Sequence, residues 1–310
     1  CKKMNSHVTF TDLNDYLFSL MEQNLKILQN NRLTALGIKH KTDKAGTFKF
    51  DYSIPKEHTI NFSGHNYSLI YYELLKKYKD KKFNLLELGA GNTGASVKMW
   101  KEFFPNANIT LFDPFFITHP DVTVTPEELE KLNINVVIGN QLCVDDLLKL
   151  VKHKENKFDV IIDDASHVSD GVQISLATLL PYLDKDGFYF VEDLSSMRDR
   201  DRRISTVNEW LDGPDINQNI KKIYHKEEIH IFDSLMSLRF NKQYKSKILS
   251  ESQILYLQNN IKDFVCFRDF NATKNLLFIR KKNLSNEHWL TSQAHATTLG
   301  QRFVRSWMEQ

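Results

Sequence analysis

Apolar residues recur along the chain with two different periods, and the change between them divides it. Leu13, Tyr16, Leu17, Leu20, Met21, Ile27 and Leu28 follow one another at three- and four-residue steps behind Thr11 and Asp12, either of which can cap a helix. Residues 11–30 therefore read as an amphipathic helix. A polar, basic stretch from Lys39 to Gly46 reads as a loop, and Tyr67, Leu69, Ile70, Tyr72, Leu74 and Leu75 predict a second helix over 66–79. From Phe83 onward, short apolar runs alternate with helical ones. Phe83–Leu88, Ile109–Asp113, Val136–Gly139, Phe158–Asp163 and Gly187–Asp193 read as buried strands. Between them Val97, Trp100, Phe103 and Phe104 share one helical face, as do Val144, Leu147, Leu148 and Val151, and Ile174, Leu179, Leu180 and Leu183. Strand and helix repeated in this way predict an α/β fold, a doubly wound, mostly parallel sheet whose ligands sit at the carboxyl ends of the strands. After Asp193 the regularity weakens. Ile229–Phe240 and Leu276–Lys281 read as the last strands, an antiparallel pair, and 283–310 has no clear place. The organisation expected is an N-terminal helical region over 1–80, a ligand-binding sheet over 81–245 and a C-terminal extension over 246–310.

Composition narrows the classes. With 41% hydrophobic and 26% charged residues in a chain of 310, disordered, fibrous and coiled-coil readings fall away. Lys and Arg number 41 against 39 for Asp and Glu, a formal charge of +2, so no electrostatic case for a nucleic-acid partner arises. Cys1, Cys143 and Cys266 are too scattered for a disulfide framework or a zinc ribbon, which points to a reducing compartment. No apolar run reaches membrane-spanning length and none near the N-terminus resembles a signal peptide, so the expected location is the cytoplasm, with no membrane association.

The chemistry concentrates at strand ends. Leu85-Leu-Glu87-Leu-Gly89-Ala-Gly91-Asn-Thr-Gly94 runs from a strand into a helix, where glycines let backbone N–H groups approach a ligand. Asp113, closing the next strand, can bind two ribose hydroxyls. These features alone suit a dinucleotide or another adenosine-bearing ligand. Glu87 discriminates: a carboxylate two residues before the first glycine suits the cationic end of S-adenosylmethionine (SAM) and suits a pyrophosphate badly. Asp163-Asp164-Ala-Ser-His167 ends one strand and Glu192-Asp193 ends the neighbouring one. Convergence of Asp164, Glu192 and Asp193 would demand a cation among them, and all-oxygen ligation favours Mg²⁺, Ca²⁺ or Mn²⁺. The alternative is that these acids cap helices and line a solvated cleft. His167, three residues after Asp164, is placed for a general base.

These segments resemble the class I SAM-dependent methyltransferases, and within them the metal-dependent macrolide-sugar O-methyltransferases and the cephamycin-biosynthesis protein CmcI. The likeness is carried by Lys41-Thr-Asp-Lys44 with Gly64-His65-Asn-Tyr67, by Leu86-Glu-Leu-Gly-Ala-Gly91 with Met99-Trp100 and Phe104-Pro105, by Gly139-Asn-Gln141, and by Asp163-Asp-Ala-Ser-His167 with Val191-Glu-Asp-Leu194. Lys41 stands where that group has Gly, and Asn140 where it has Asp. The resemblance implies a Rossmann-like methyltransferase sheet. It implies SAM contacts from Glu87, Gly89, Gly91, Asp113, Gln141, His65 and Tyr67, with Asp163 on the cofactor side. It further implies Mg²⁺ on Asp164, Glu192 and Asp193, with His167 as base beside Asp164. The expected reaction is methyl transfer to a hydroxyl of a small-molecule acceptor, a glycoside or nucleotide sugar, by an enzyme whose N-terminal helices can form a homo-oligomer interface. Two other classes compete. An NAD-dependent oxidoreductase on the same turn leaves Glu87 and the acids unexplained; a non-catalytic scaffold of this fold would find the acids dispensable. Arg198, Arg200, Arg202 and Arg203 after the fifth strand read either as a solvated loop or as a lid for an anionic substrate group.

Overall fold

The computed structural model describes residues 30–51, 59–115, 123–151, 157–193, 243–261, 263–268 and 275–280 and, singly, Gln23, Lys26, Ile231, Ser234, Leu235, Ser237 and Leu238. The predicted helix at 11–30, the Arg198–Arg203 segment and 283–310 lie outside them, apart from isolated positions in the first. The chain divides into two compact units, residues 1–76 and 77–310.

In the first unit, α1 (Arg32–His40) begins at Asn31, whose side chain accepts the Thr34 N–H at 2.8 Å, and ends on Lys41 in the left-handed conformation. Strands β1 (Thr47–Asp51) and β2 (Thr59–Ser63) form an antiparallel hairpin that the helical expectation did not contain. Helix α2 spans Tyr67–Leu75 and tightens into a 3₁₀ turn, Lys76–Tyr78, shortening the predicted 66–79 helix slightly. Thr34 and Ser68 hydrogen-bond through their hydroxyls at 2.8 Å, joining α1 to α2.

The second unit is built on the predicted sheet. In chain order its elements are β3 (Asn84–Leu88), α3 (Ala95–Phe103), β4 (Asn108–Asp113), α4 (Pro126–Glu130), β5 (Ile134–Ile138), α5 (Val144–Lys149), β6 (Phe158–Asp163), α6 (Ser169–Leu179), β7 (Leu183–Val191), α7 (Glu251–Asn260), β8 (Asp263–Arg268) and β9 (Asn275–Arg280). The sheet order is β5-β4-β3-β6-β7-β9-β8, parallel from β5 through β7 and antiparallel at β9 and β8. Its central strands are apolar almost throughout, as strands covered on both faces must be: Leu85, Leu86, Leu88, Val160, Ile161 and Ile162 are fully buried. The chain runs outward from β3 to β5, then crosses back to place β6 on the other side of β3. That reversal opens a crevice at the carboxyl ends of β3 and β6.

The region after β7 departs from expectation. Within the run Ile229–Phe240, read as a strand, the described residues Ile231, Ser234, Leu235, Ser237 and Leu238 are helical, and Ile231, Ser234, Leu235 and Leu238 are buried. Those burial steps of three and four are the period of a helix face, which a reading of the run as simply apolar misses. The partner of β9 is instead β8, and the two complete the sheet beside β7. Polar bonds tie this region to the buried helix α6: Ser169 Oγ accepts the Ile231 N–H at 2.7 Å, and Gln173 Oε1 accepts the Tyr244 hydroxyl at 3.4 Å. No helix among the described residues is long and apolar enough to cross a membrane.

Candidate active site

Glu87 is fully buried in β3 between Leu86 and Leu88, one residue short of the strand's carboxyl end. The chain then turns at Gly89, with φ +98°. A methyl group there would lie 2.1 Å from the Asp164 carbonyl oxygen, so the turn lies directly against the end of β6, and only glycine permits it. At Gly91, φ is +56° and a methyl group would meet nothing within 4 Å: this side of the turn faces open space. Asp113, at the end of β4, holds the turn itself. One carboxylate oxygen accepts the Ala90 N–H at 2.8 Å and the other the Phe115 N–H at 2.6 Å. Burial pushes its pKa up, while the two backbone donors oppose that shift.

The acids of β6 and β7 separate into two groups. Asp163 is buried in a polar network. Its Oδ1 accepts Gln141 Nε2 at 2.6 Å, and its Oδ2 accepts the Tyr189 hydroxyl at 2.9 Å and the Ser175 hydroxyl. Desolvation pushes its carboxyl up to about 6 against these three donors. Gln141 Oε1 in turn accepts from Ser166, so the side chains of Gln141 and Asp163, both expected beside the cofactor, are hydrogen-bonded within the protein. Asp164 is partly exposed, and its Oδ1 lies 3.6 Å from Nε2 of His167, also partly exposed. Backbone pairing extends past both strands, with Asp164 N–H on Leu88 O and Glu192 N–H on Asp163 O, each at 3.0 Å. That pairing sets Asp164 and Glu192 at adjacent strand ends. Glu192 and Asp193 are buried, and both His167 and Asp193 have positive φ, at +52° and +55°.

As a donor set for Mg²⁺ the three carboxylates fit in kind, being all oxygen and anionic. Among the described residues, however, no three His, Cys, Asp or Glu side chains are arranged to hold a metal ion, so the convergence expected of Asp164, Glu192 and Asp193 is not present as the side chains stand. His65 and Tyr67 belong to the first unit, where their rings lie 5.2 Å apart and His65 Nδ1 is 3.9 Å from Asp43 Oδ2.

Reading by sequence missed Ser166, Ser175 and Tyr189. The available signal was polar residues inside apolar runs: Ser175 between Ile174 and Leu176, Tyr189 between Phe188 and Phe190.

No protein-family model matches the chain. It is similar in sequence to sugar O-methyltransferases of natural-product pathways. Against mycinamicin VI 2''-O-methyltransferase of Micromonospora griseorubida it is 30% identical over 125 residues, 38% of this chain and 29% of that protein. Against 8-demethyl-8-(2-methoxy-alpha-L-rhamnosyl)-tetracenomycin-C 3'-O-methyltransferase of Streptomyces olivaceus it is 32% identical over 138 residues, 42% of this chain and 32% of that protein. The chain spans about a third of the length of these curated relatives. Among solved structures, MycE methyltransferase in complex with Mg, SAH (S-adenosylhomocysteine) and mycinamycin VI superposes with a TM-score of 0.50 at 20% identity, over 83% of this chain and 56% of that one. The fold is therefore the Rossmann-like methyltransferase fold.

Proposed function

We propose that this chain is a SAM-dependent O-methyltransferase that transfers a methyl group to a hydroxyl of a sugar on a small molecule. The observation that carries the reading is the sequence likeness to sugar O-methyltransferases, together with a buried Glu87 and a glycine turn open at Gly91 beside the crevice where the sheet reverses. Glu87 would receive the cationic end of the donor. Asp113 keeps a second acceptor lone pair on each oxygen and can take ribose hydroxyls while still holding Ala90 and Phe115.

The donor's sulfonium already activates its methyl group, so the protein must align an acceptor oxygen behind it and remove that oxygen's proton. A sugar hydroxyl is too weak an acid for an imidazole acting alone. Asp164, Glu192 and Asp193 would hold Mg²⁺, which would supply the missing acidification. His167 accepts the proton, and the Asp164 carboxylate, 3.6 Å from its Nε2, then stands against the imidazolium. In this reading Gln141 and Asp163 position these groups rather than touch the donor.

Calorimetric titration of the chain with SAH and, separately, with NAD tests the donor class. Binding of SAH without NAD is expected; NAD binding without SAH overturns the reading in favour of an oxidoreductase. A methyl-transfer screen over glycosides and nucleotide sugars then addresses the acceptor.

A further inference from the structure

The loop from Asp164 to His167 leaves β6 and enters α6, and its Ser166 is fastened by side chain and backbone into the buried network. Gln141 Oε1 accepts both the Ser166 N–H at 3.1 Å and the Ser166 hydroxyl at 2.6 Å. Gln141 Nε2 donates to Asp163 Oδ1 at 2.6 Å and to Ser175 Oγ at 3.1 Å. Both lone pairs and both N–H groups of the amide are thus used, and its orientation is determined. Turned over, it would set an NH₂ against the Ser166 N–H and a carbonyl against the Asp163 carboxylate. Tyr189 and Ser175 hold Asp163 from the strand and helix beneath. Gly171 makes room for the arrangement: a methyl group there would stand 2.6 Å from Ser166 Oγ and 3.0 Å from Gln141 Oε1. Its φ is not left-handed, so space rather than backbone freedom accounts for a glycine inside this helix, where it is otherwise disfavoured.

We infer that Ser166 and Gln141 form a latch that sets the position of the Asp164–His167 loop, making Ser166, Gln141 and, through Asp163, Ser175 and Tyr189 positioning residues for the reaction. This rests on the reading above that Asp164 and His167 carry the chemistry. It adds that their placement is decided from a third strand end, by a side chain that follows β5.

The test compares hydrogen exchange of the 310-residue chain with that of Ser166→Ala, Gly171→Ala and the double variant. It also follows the His167 imidazole resonances by NMR and SAH affinity by calorimetry. Loss of one hydrogen bond of ordinary net strength predicts about tenfold faster exchange of the amides from Asp164 to Val168 in either single variant. The His167 ring resonances should shift, while amides of the Gly89–Gly94 turn and SAH affinity stay within about twofold. Because both substitutions open one latch, the double variant should exchange within about threefold of the singles. Unchanged loop exchange in both single variants overturns the proposal. So does faster exchange spread across the whole sheet, or effects that simply multiply. Failure of the wild-type chain to bind SAH would instead sink the methyltransferase reading, while the exchange pattern would still decide the latch.

Discussion

Gly89 and Gly91 stand two positions apart in one turn and face different surroundings. A methyl group at Gly89 runs into the Asp164 carbonyl, whereas one at Gly91 meets only the left-handed backbone cost. Gly91→Ala should therefore cost about 1–2 kcal/mol of stability, read by denaturant unfolding. Gly89→Ala should cost much more and should also abolish SAH binding, because β3 and β6 must part to admit it. Asp163 gives a second contrast. Three donors point at its oxygens, so Asp163→Asn turns an NH₂ toward at least one of them and should cost about 1–3 kcal/mol. Burial raises this carboxyl from 3.8 to about 6, so the folded chain binds the proton more tightly than the unfolded chain. The associated stability is complete below the unfolded pKa and is lost as pH rises through about 6. Measured in metal-free buffer, the wild-type margin over Asp163→Asn should shrink from pH 4 to pH 6 and level off above. A margin that widens over that interval would contradict the account of Asp163 as a desolvated acid.

Strands β8 and β9 contribute packing rather than site residues. Phe278 of β9 is fully buried, with ring centroids 5.9 Å from Phe188, 6.0 Å from Phe190 and 5.9 Å from Phe267. Phe278→Ala should cost about 3–5 kcal/mol, seen as a lowered midpoint in denaturant, with SAH affinity of the folded protein unchanged because β6 and β7 stand between β9 and the turn after β3. The parallel strands were legible in advance because doubly covered strands are apolar runs of the right length between amphipathic helices. The antiparallel end was not. Phe264–Phe267 is a short apolar run that its pairing with β9 marks as a strand, and at Ile231, Ser234, Leu235 and Leu238 the three- and four-residue steps of a helix face pass for mere apolarity.

At the scale of the whole molecule, the prediction concerns the acids at the crevice. If Asp164, Glu192 and Asp193 hold Mg²⁺, chelation should abolish methyl transfer to any acceptor found and added Mg²⁺ should restore it. Asp164→Ala should lose transfer by about a hundredfold or more while keeping SAH affinity within about twofold, the signature of a group acting on the chemical step. Full transfer by Asp164→Ala would remove the metal from the mechanism.

The sequence alone determined the doubly wound sheet, the glycine turn and the strand-end address of the candidate residues from Glu87 to Asp193, because hydrophobic period and turn chemistry are local properties written within a few residues. Tertiary structure alone decided which polar groups satisfy one another. Gln141, Asp163, Ser166, Ser175 and Tyr189 come from five segments, and a buried donor or acceptor must find its partner in space whatever its distance along the chain. That requirement ties Gln141 and Asp163 to Ser166, Ser175 and Tyr189, and no reading of spacing contains it.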